Sequence, residues 1–325
     1  MRSGGFGDII ALSGLANYLL EKKNISKVVI YTRHFYIDGL NLLFTNERIK
    51  IKGIYKDTVE DYVINNDLFG VVYFEGLIEN SKENWYDIHY KRIKENHEEV
   101  DSYYKRPIFD LEKIDKNLKR NNDNDKVKIL LVPRSTSYTR STRLIDMVNI
   151  LKKLISESNF DIKMFKFYVH KENITGTDIS DIPLFNDIDL EVIEKSTLKD
   201  FVLDLYNSDF VFTVDTAAIH LAEGFKKPAV GLYNSFSTNS RNKYYTYTKS
   251  IDVISDCELQ PCFIHPTDFN GCPKFKDLIS KGIILDKDIS PCLDSRWNTK
   301  MFDYIVNNVK EYFYDSIVKC LESKK

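Results

Sequence analysis

The chain has 325 residues, enough for two ordinary domains. With 43% hydrophobic and 29% charged residues it is a core-forming chain rather than a disordered one. The 46 basic and 48 acidic side chains leave a formal charge of −2, so no global pull toward nucleic acid or an anionic membrane exists, and 13 Gly with 8 Pro exclude collagen-like and linker-like classes.

No stretch reaches the roughly 20 apolar residues that a membrane-spanning helix needs, so no integral span is expected; peripheral contact with a membrane stays open. Arg2 precedes the apolar run from Ile9 to Leu20, as in a signal peptide, but Asp8 stands where that run should begin and no small-x-small site follows. Without an export signal, five cysteines (an odd count) point to a reducing, cytoplasmic setting.

Taken in chain order, the apolar spacing of Ile9, Leu12, Leu15, Ala16 and Leu19 predicts a helix over 8–22. Short apolar runs predict strands at 27–31, 49–54 and 71–74, and the charged, aromatic stretch 85–105 reads as a surface helix. The polar run 119–126 reads as a linker. The pattern then restarts, with strands at 128–132, within 161–169, at 210–214 and at 229–233. Helices are expected over about 142–157, at 197–206, after the strand at 210–214, and over 301–321. Strands alternating with helices imply parallel sheets covered on both faces. The expected architecture is α/β, with two doubly wound Rossmann-like domains facing a central cleft. An acceptor-side domain spans 1–122, a nucleotide-binding domain 123–300 with a Cys-rich insert at 257–292, and a closing helix 301–325.

Three segments carry candidate chemistry. In Ser3-Gly4-Gly5-Phe6-Gly7-Asp8 the glycines permit a tight turn, and Asp8 is either a helix cap or a general base projecting into the cleft. In the loop from Pro133 to Arg143, Ser135, Thr136 and Arg140 suit phosphate, through hydroxyl donors and a guanidinium fork; the plainer reading is a solvated loop whose Ser141 or Thr142 caps the next helix. At the third segment the strand ends at Val214, and Asp215 or Thr216 can cap a helix that carries His220 one turn on, which makes its start an anion site.

The run Asp215-Thr216-Ala217-Ala218-Ile219-His220-Leu221-Ala222 followed by Lys227-Pro228-Ala229-Val230-Gly231-Leu232-Tyr233 resembles the donor-site signature of the family 9 glycosyltransferases, the lipopolysaccharide heptosyltransferases and their relatives. The likeness extends from Gly4 to about Ser235. It implies a GT-B fold and inverting transfer of a heptose-like sugar from a nucleotide-diphosphate donor, such as ADP-heptose, to a glycan or protein hydroxyl without a catalytic metal. It also implies that Asp8, beside Gly7, is the base, that Ser135, Thr136 and Arg140 hold the diphosphate, that Thr216, the amides of Ala217 and Ala218, and His220 hold the rest of the pyrophosphate region, and that Asp215 supports that turn. The chain departs from the pattern in having Ala217 where relatives carry Gly, Arg140 where they carry Lys, and a glycine turn almost at Met1, which leaves little room for a first strand. The rivals are a nucleotide-sugar-binding protein without turnover and a sugar-nucleotide epimerase or hydrolase on the same fold. The latter needs a second acid or base in the cleft, and the sequence offers none.

Cys257, Cys262, Cys272 and Cys292, with Pro261, Pro273 and Pro291 beside three of them, have the character of a structural zinc or iron site, although the spacing is not that of a standard zinc ribbon. They resemble the cysteine insert of autotransporter heptosyltransferases; the alternative is four reduced thiols, and His265 is a further candidate ligand. The run Arg241 to Tyr245 could face an acceptor, but a solvated loop is the expectation, and Cys320 reads as a buried hydrophobe. Residues 80–118 are expected on the acceptor side.

Overall fold

The computed structural model describes residues 5–54, 82–118, 126–174, 176–262, 272–283 and 289–324. The expected strand at 71–74, His265 and nearly all of the expected linker lie outside them.

Helix α1 (Phe6–Lys22) comes first. It is followed by β1 (Val28–Arg33), α2 (Ile37–Leu43) and β2 (Ile49–Ile54); β1 and β2 run parallel, with Val28 opposite Ile49 and Arg33 opposite Ile54. Then come α3 (Trp85–Arg92) and α4 (Leu111–Leu118). The rest of the chain builds a six-stranded parallel sheet from β3 (Val127–Val132), β4 (Phe165–His170), β5 (Leu190–Ile193), β6 (Phe210–Val214), β7 (Ala229–Tyr233) and β8 (Thr248–Asp252). Its strand order is β5-β4-β3-β6-β7-β8, the doubly wound order. Every residue of β6 and β7 is buried, as their largely apolar sequences require of strands covered on both faces. Helix α5 (Leu144–Glu157) and the closing helix Met301–Ser323 pack on one face of this sheet with Phe165, Phe210, Val306 and Phe313.

The order reverses between β3 and β6. Chains leave that point in opposite directions, so a crevice opens beyond the carboxyl ends of the two strands, at Val132 and Val214. Both predicted donor segments begin there.

The other face of the sheet carries α7 (Leu198–Asn207) and α8 (Ala217–Gly224), numbered after the short α6 (Gly176–Asp181). Helix α1 lies against α8, and a single apolar core joins Ile9, Ile10 and Leu15 of α1 and Ile30 of β1 to Leu205, Ile219 and Leu221. The two halves therefore share a core along α1. Within the first half, Gly14 lets α1 lie close to the segment after α3: a Cβ there would collide with the carbonyl oxygens of Tyr104 and Arg106. A buried ion pair clasps the halves nearby, Arg106 to Glu223 at 3.3 Å, and Glu223 also accepts from the amides of Thr246, Tyr247 and Thr248.

Three expectations are corrected. Helix α1 begins at Phe6, so Asp8 is its third residue rather than its cap. The stretch 85–105 is not a surface helix: α3 buries Trp85 through Tyr90, and two short 3₁₀ turns follow. The cap of α5 is neither Ser141 nor Thr142, because the Leu144 amide donates to Asp178 instead.

Gly14→Ala is expected to lower unfolding stability by about 1–3 kcal/mol in urea titration, the usual cost of overpacking, despite the better helix propensity of Ala. An unchanged midpoint would show that the α1 approach is looser than described.

Candidate active site

The site is built where two helices begin against each other. A Cβ on Gly7 would stand 2.7 Å from His220 Cδ2 and 3.2 Å from the Ala217 Cα, so only glycine lets the start of α1 meet the start of α8 this closely. Each helix start presents positive dipole and free amides. In α8, Thr216 is the cap: its Oγ1 accepts from the Ala218 amide at 3.1 Å and shares a hydrogen bond with the Thr213 hydroxyl at 3.3 Å. The Ala217 amide makes no hydrogen bond among the described residues. In α1, the half-buried Asp8 carboxylate accepts from the Gly5 amide at 2.5 Å, and the Asp8 amide donates to the Gly5 carbonyl at 3.0 Å.

The loop after β3 folds over this junction. Its turns are closed by its own polar groups: the Thr142 amide donates to the Pro133 carbonyl at 2.9 Å, the Ser135 amide to Ser141 Oγ at 3.0 Å, and Ser137 and Thr139 share a hydroxyl contact at 2.8 Å. Asn234, just past β7, donates to the Thr139 carbonyl at 2.6 Å and to Ser290 Oγ at 3.0 Å. The loop is thereby fixed in place, with Ser135 half-buried and Thr136 exposed. Arg140 reaches from it to Asp215, Nη1 to Oδ2 at 3.0 Å, with both side chains nearly enclosed. Burial alone would raise the Asp215 carboxyl, but the charges of Arg140 and Arg241 prevail and hold it below the usual carboxylate range.

His220 is buried, and burial pushes its imidazole down to about 4, against the pull of Asp215 and Asp8, so it is neutral near pH 7. Its Nδ1 meets the Tyr245 hydroxyl at 2.6 Å, and that hydroxyl meets Tyr86 Oη at 2.8 Å. Trp85 lies against the same imidazole, with ring centroids 4.8 Å apart. The predicted residues Asp8, Gly7, Arg140, Asp215, Thr216, Ala217, Ala218 and His220 thus converge; Ser135 and Thr136 sit on the loop above them.

Sequence reasoning missed part of the site. The run 241–245 is not a solvated loop. Arg241 and Asn242 are buried, Tyr245 bonds His220, and Arg241 feels both Asp215 and Asp8. Trp85 and Tyr86 also belong to the site, and nothing in the spacing of 85–105 signals it.

The cysteine insert meets the site from outside. The Ser290 amide donates to the Ser141 carbonyl at 2.9 Å, which ties the stretch before Cys292 to the loop after β3. Ser255 Oγ donates to Cys292 Sγ at 3.4 Å, the neighbouring thiol of Cys292 draws Cys257 down, Cys257 and burial push Cys292 up, and Cys272 lies near enough to sense Cys257 and Cys262. All four are half-buried and unpaired; among the described residues no group of three His, Cys, Asp or Glu is arranged to hold a metal ion. Cys320 is half-buried on the closing helix rather than enclosed.

No protein-family model and no curated protein sequence matches the chain. Solved structures do. The E. coli heptosyltransferase WaaC with ADP superposes with a TM-score of 0.51 at 10% identity, covering 77% of this chain and 91% of that one. A family 9 glycosyl transferase from Veillonella parvula gives 0.54 at 9% identity, over 95% and 94%. The iron-containing dodecameric glycosyltransferase TibC from enterotoxigenic E. coli gives 0.57 at 12% identity, over 96% and 75%. The chain has the GT-B fold. In this GT-B chain, the junction of α1 with α8 occupies the crevice at the sheet's switch point. No helix among the described residues is long and apolar enough to cross a membrane.

The depressed His220 gives a pH prediction. Above about pH 6.5 the imidazole is neutral in both folded and unfolded chains. As pH falls from 6.5 toward 4 the unfolded chain gains a proton that the folded one refuses, so stability falls by about 3 kcal/mol and levels off below 4. His220→Gln is expected to flatten that part of the stability–pH curve in urea titrations; an equal slope in the variant would contradict a neutral His220.

Proposed function

We propose that this GT-B protein is an inverting glycosyltransferase that moves a heptose-like sugar from a nucleoside-diphosphate donor to a hydroxyl of a glycan or protein. The observation that carries the reading is the convergence of two helix starts, a buried Arg140–Asp215 pair and the Asp8 carboxylate on one crevice. Positive helix ends and arginine suit a diphosphate; a carboxylate within the same site suits a base. The neighbouring structures WaaC and TibC are described with ADP and with ADP-D-β-D-heptose, which supports an adenine nucleotide donor.

In this reading the donor's phosphates lie against Thr216, the Ala217 amide and Arg140, with Ser135 and Thr136 closing from the loop. The acceptor oxygen attacks the anomeric carbon as its proton passes to Asp8. The bond from that carbon to the phosphate oxygen breaks, and the electron pair leaves on the nucleoside diphosphate. Charge grows on that leaving group, where fixed donors stabilise it most. Asp215 holds Arg140 in position. Neutral His220 acts as a hydrogen-bonding group held by Tyr245, not as a cation. The domain limits near residue 122 and an acceptor side formed by residues 80–118 belong to the same proposal, and so does a cytoplasmic location.

A structural zinc or iron ion is proposed for Cys257, Cys262, Cys272 and Cys292. Four thiols are the donor set such an ion prefers. Bound there, it would hold the insert together and take no part in transfer.

Asp8→Asn is expected to lower transfer by about 10²- to 10⁴-fold while leaving nucleoside-diphosphate affinity in place, measured by product formation and calorimetry. Retained transfer would remove Asp8 as the base, release of free sugar without acceptor would favour a hydrolase, and binding without any wild-type turnover would favour a binding protein. Metal analysis of the purified protein should find about one zinc or iron per chain, lost in Cys262→Ser together with thermal stability. A metal-free native protein would refute the thiolate site.

A further inference from the structure

Arg241 sits on the short helix Thr238–Asn242, in a segment whose sequence gives no motif. Its residue is only 6% exposed. The guanidinium lies 4.0 Å from the Phe236 ring centroid and 5.1 Å from that of Trp85, so aromatic faces from both halves of the chain hold the planar group. It makes no hydrogen bond or ion pair among the described residues. Yet none of its nitrogens is among the sealed, unpartnered polar atoms, as Arg140 Nε is, so its N–H groups open onto accessible space. Asp215 and Asp8 act on it through space, but Asp215 bonds Arg140. A second donor stands beside it, Trp85 Nε1, fully enclosed and without a hydrogen-bond partner among the described residues.

A mostly buried cation with five uncommitted donors is costly to maintain unless an anion completes it. The groups around it define that anion. The start of α8 and Arg140 lie on the same site, and all are donors. A single carboxylate could not engage both arginines and the helix start, whereas paired phosphates present enough oxygens in forked geometry. Trp85 comes from the half of the chain that carries Asp8, so the ring that orients Arg241 also depends on the two halves being closed.

We propose that Arg241 is a diphosphate-binding arm of this site, a second guanidinium facing Arg140 across the paired phosphates. The assignment rests on the glycosyltransferase reading and adds to it a residue that accounts for part of the donor affinity.

Calorimetric titration of the full chain with inorganic pyrophosphate, ADP, UDP and GDP tests it. Arg241→Gln should weaken pyrophosphate and the preferred nucleoside diphosphate by about 10- to 100-fold, the range for a hydrogen bond to a charged group. Arg241→Lys, which keeps charge but loses the fork, should fall between wild type and Gln at an unchanged melting temperature, and it carries the test should Arg241→Gln fail to fold. The salt dependence of pyrophosphate binding should become shallower in Arg241→Gln. Unaltered affinities in both variants, with Arg140→Gln weakened, would overturn the Arg241 assignment alone. A wild-type protein that binds neither pyrophosphate nor any of the three nucleotides would overturn the glycosyltransferase reading and this assignment together.

Discussion

The contact on which the site depends is the approach of two helix starts, made where Gly7 has no side chain. A methyl group there would meet His220 and the Ala217 backbone, so a single absent carbon sets the spacing of α1 and α8. From that contact follow the shared apolar core along α1, the burial that keeps His220 neutral, and the position of Asp8 at the same crevice as Thr216. Two helix starts, Arg140 and Arg241 bring donors and positive charge to the crevice, and Asp215 and Asp8 balance the two guanidiniums.

The halves of the chain are coupled through more than apolar packing. Arg106 meets Glu223, Lys105 meets Asp87 at 2.8 Å while Tyr244 donates to the same carboxylate, and Tyr86 meets Tyr245 on the way to His220. Buried polar groups of this kind are costly unless every partner is present. They therefore fix the relation of the two halves. The side chains from 85–106 are the ones that make these bridges, which explains why an apparently polar, aromatic stretch is enclosed.

Much of the fold was legible because parallel strands announce themselves. The runs at 210–214 and 229–233 are dominated by apolar residues, and the structure makes them strands with the same limits. β5 and β8, short and half-buried at the two edges of the large sheet, lack that signal and were not read. The Thr216 cap was legible for a local reason: a hydroxyl two residues before an open amide is visible in sequence. Arg241 and Trp85 were not, because what makes them part of the site is enclosure by segments more than 150 positions apart, a property no window of sequence contains. The cap of α1 was misread: Gly5 precedes the helix, which begins at Phe6, and Asp8 is its third residue.

The central claim is that the diphosphate, held at the start of α8, lies in the crevice that the start of α1 closes through Gly7. Hydrogen–deuterium exchange with and without the preferred nucleoside diphosphate tests it most directly. The account predicts slowed amide exchange in two separate segments, 5–10 and 215–221, at the same nucleotide concentration. Protection confined to other parts of the chain, with both helix starts exchanging as fast as in the free protein, would contradict it.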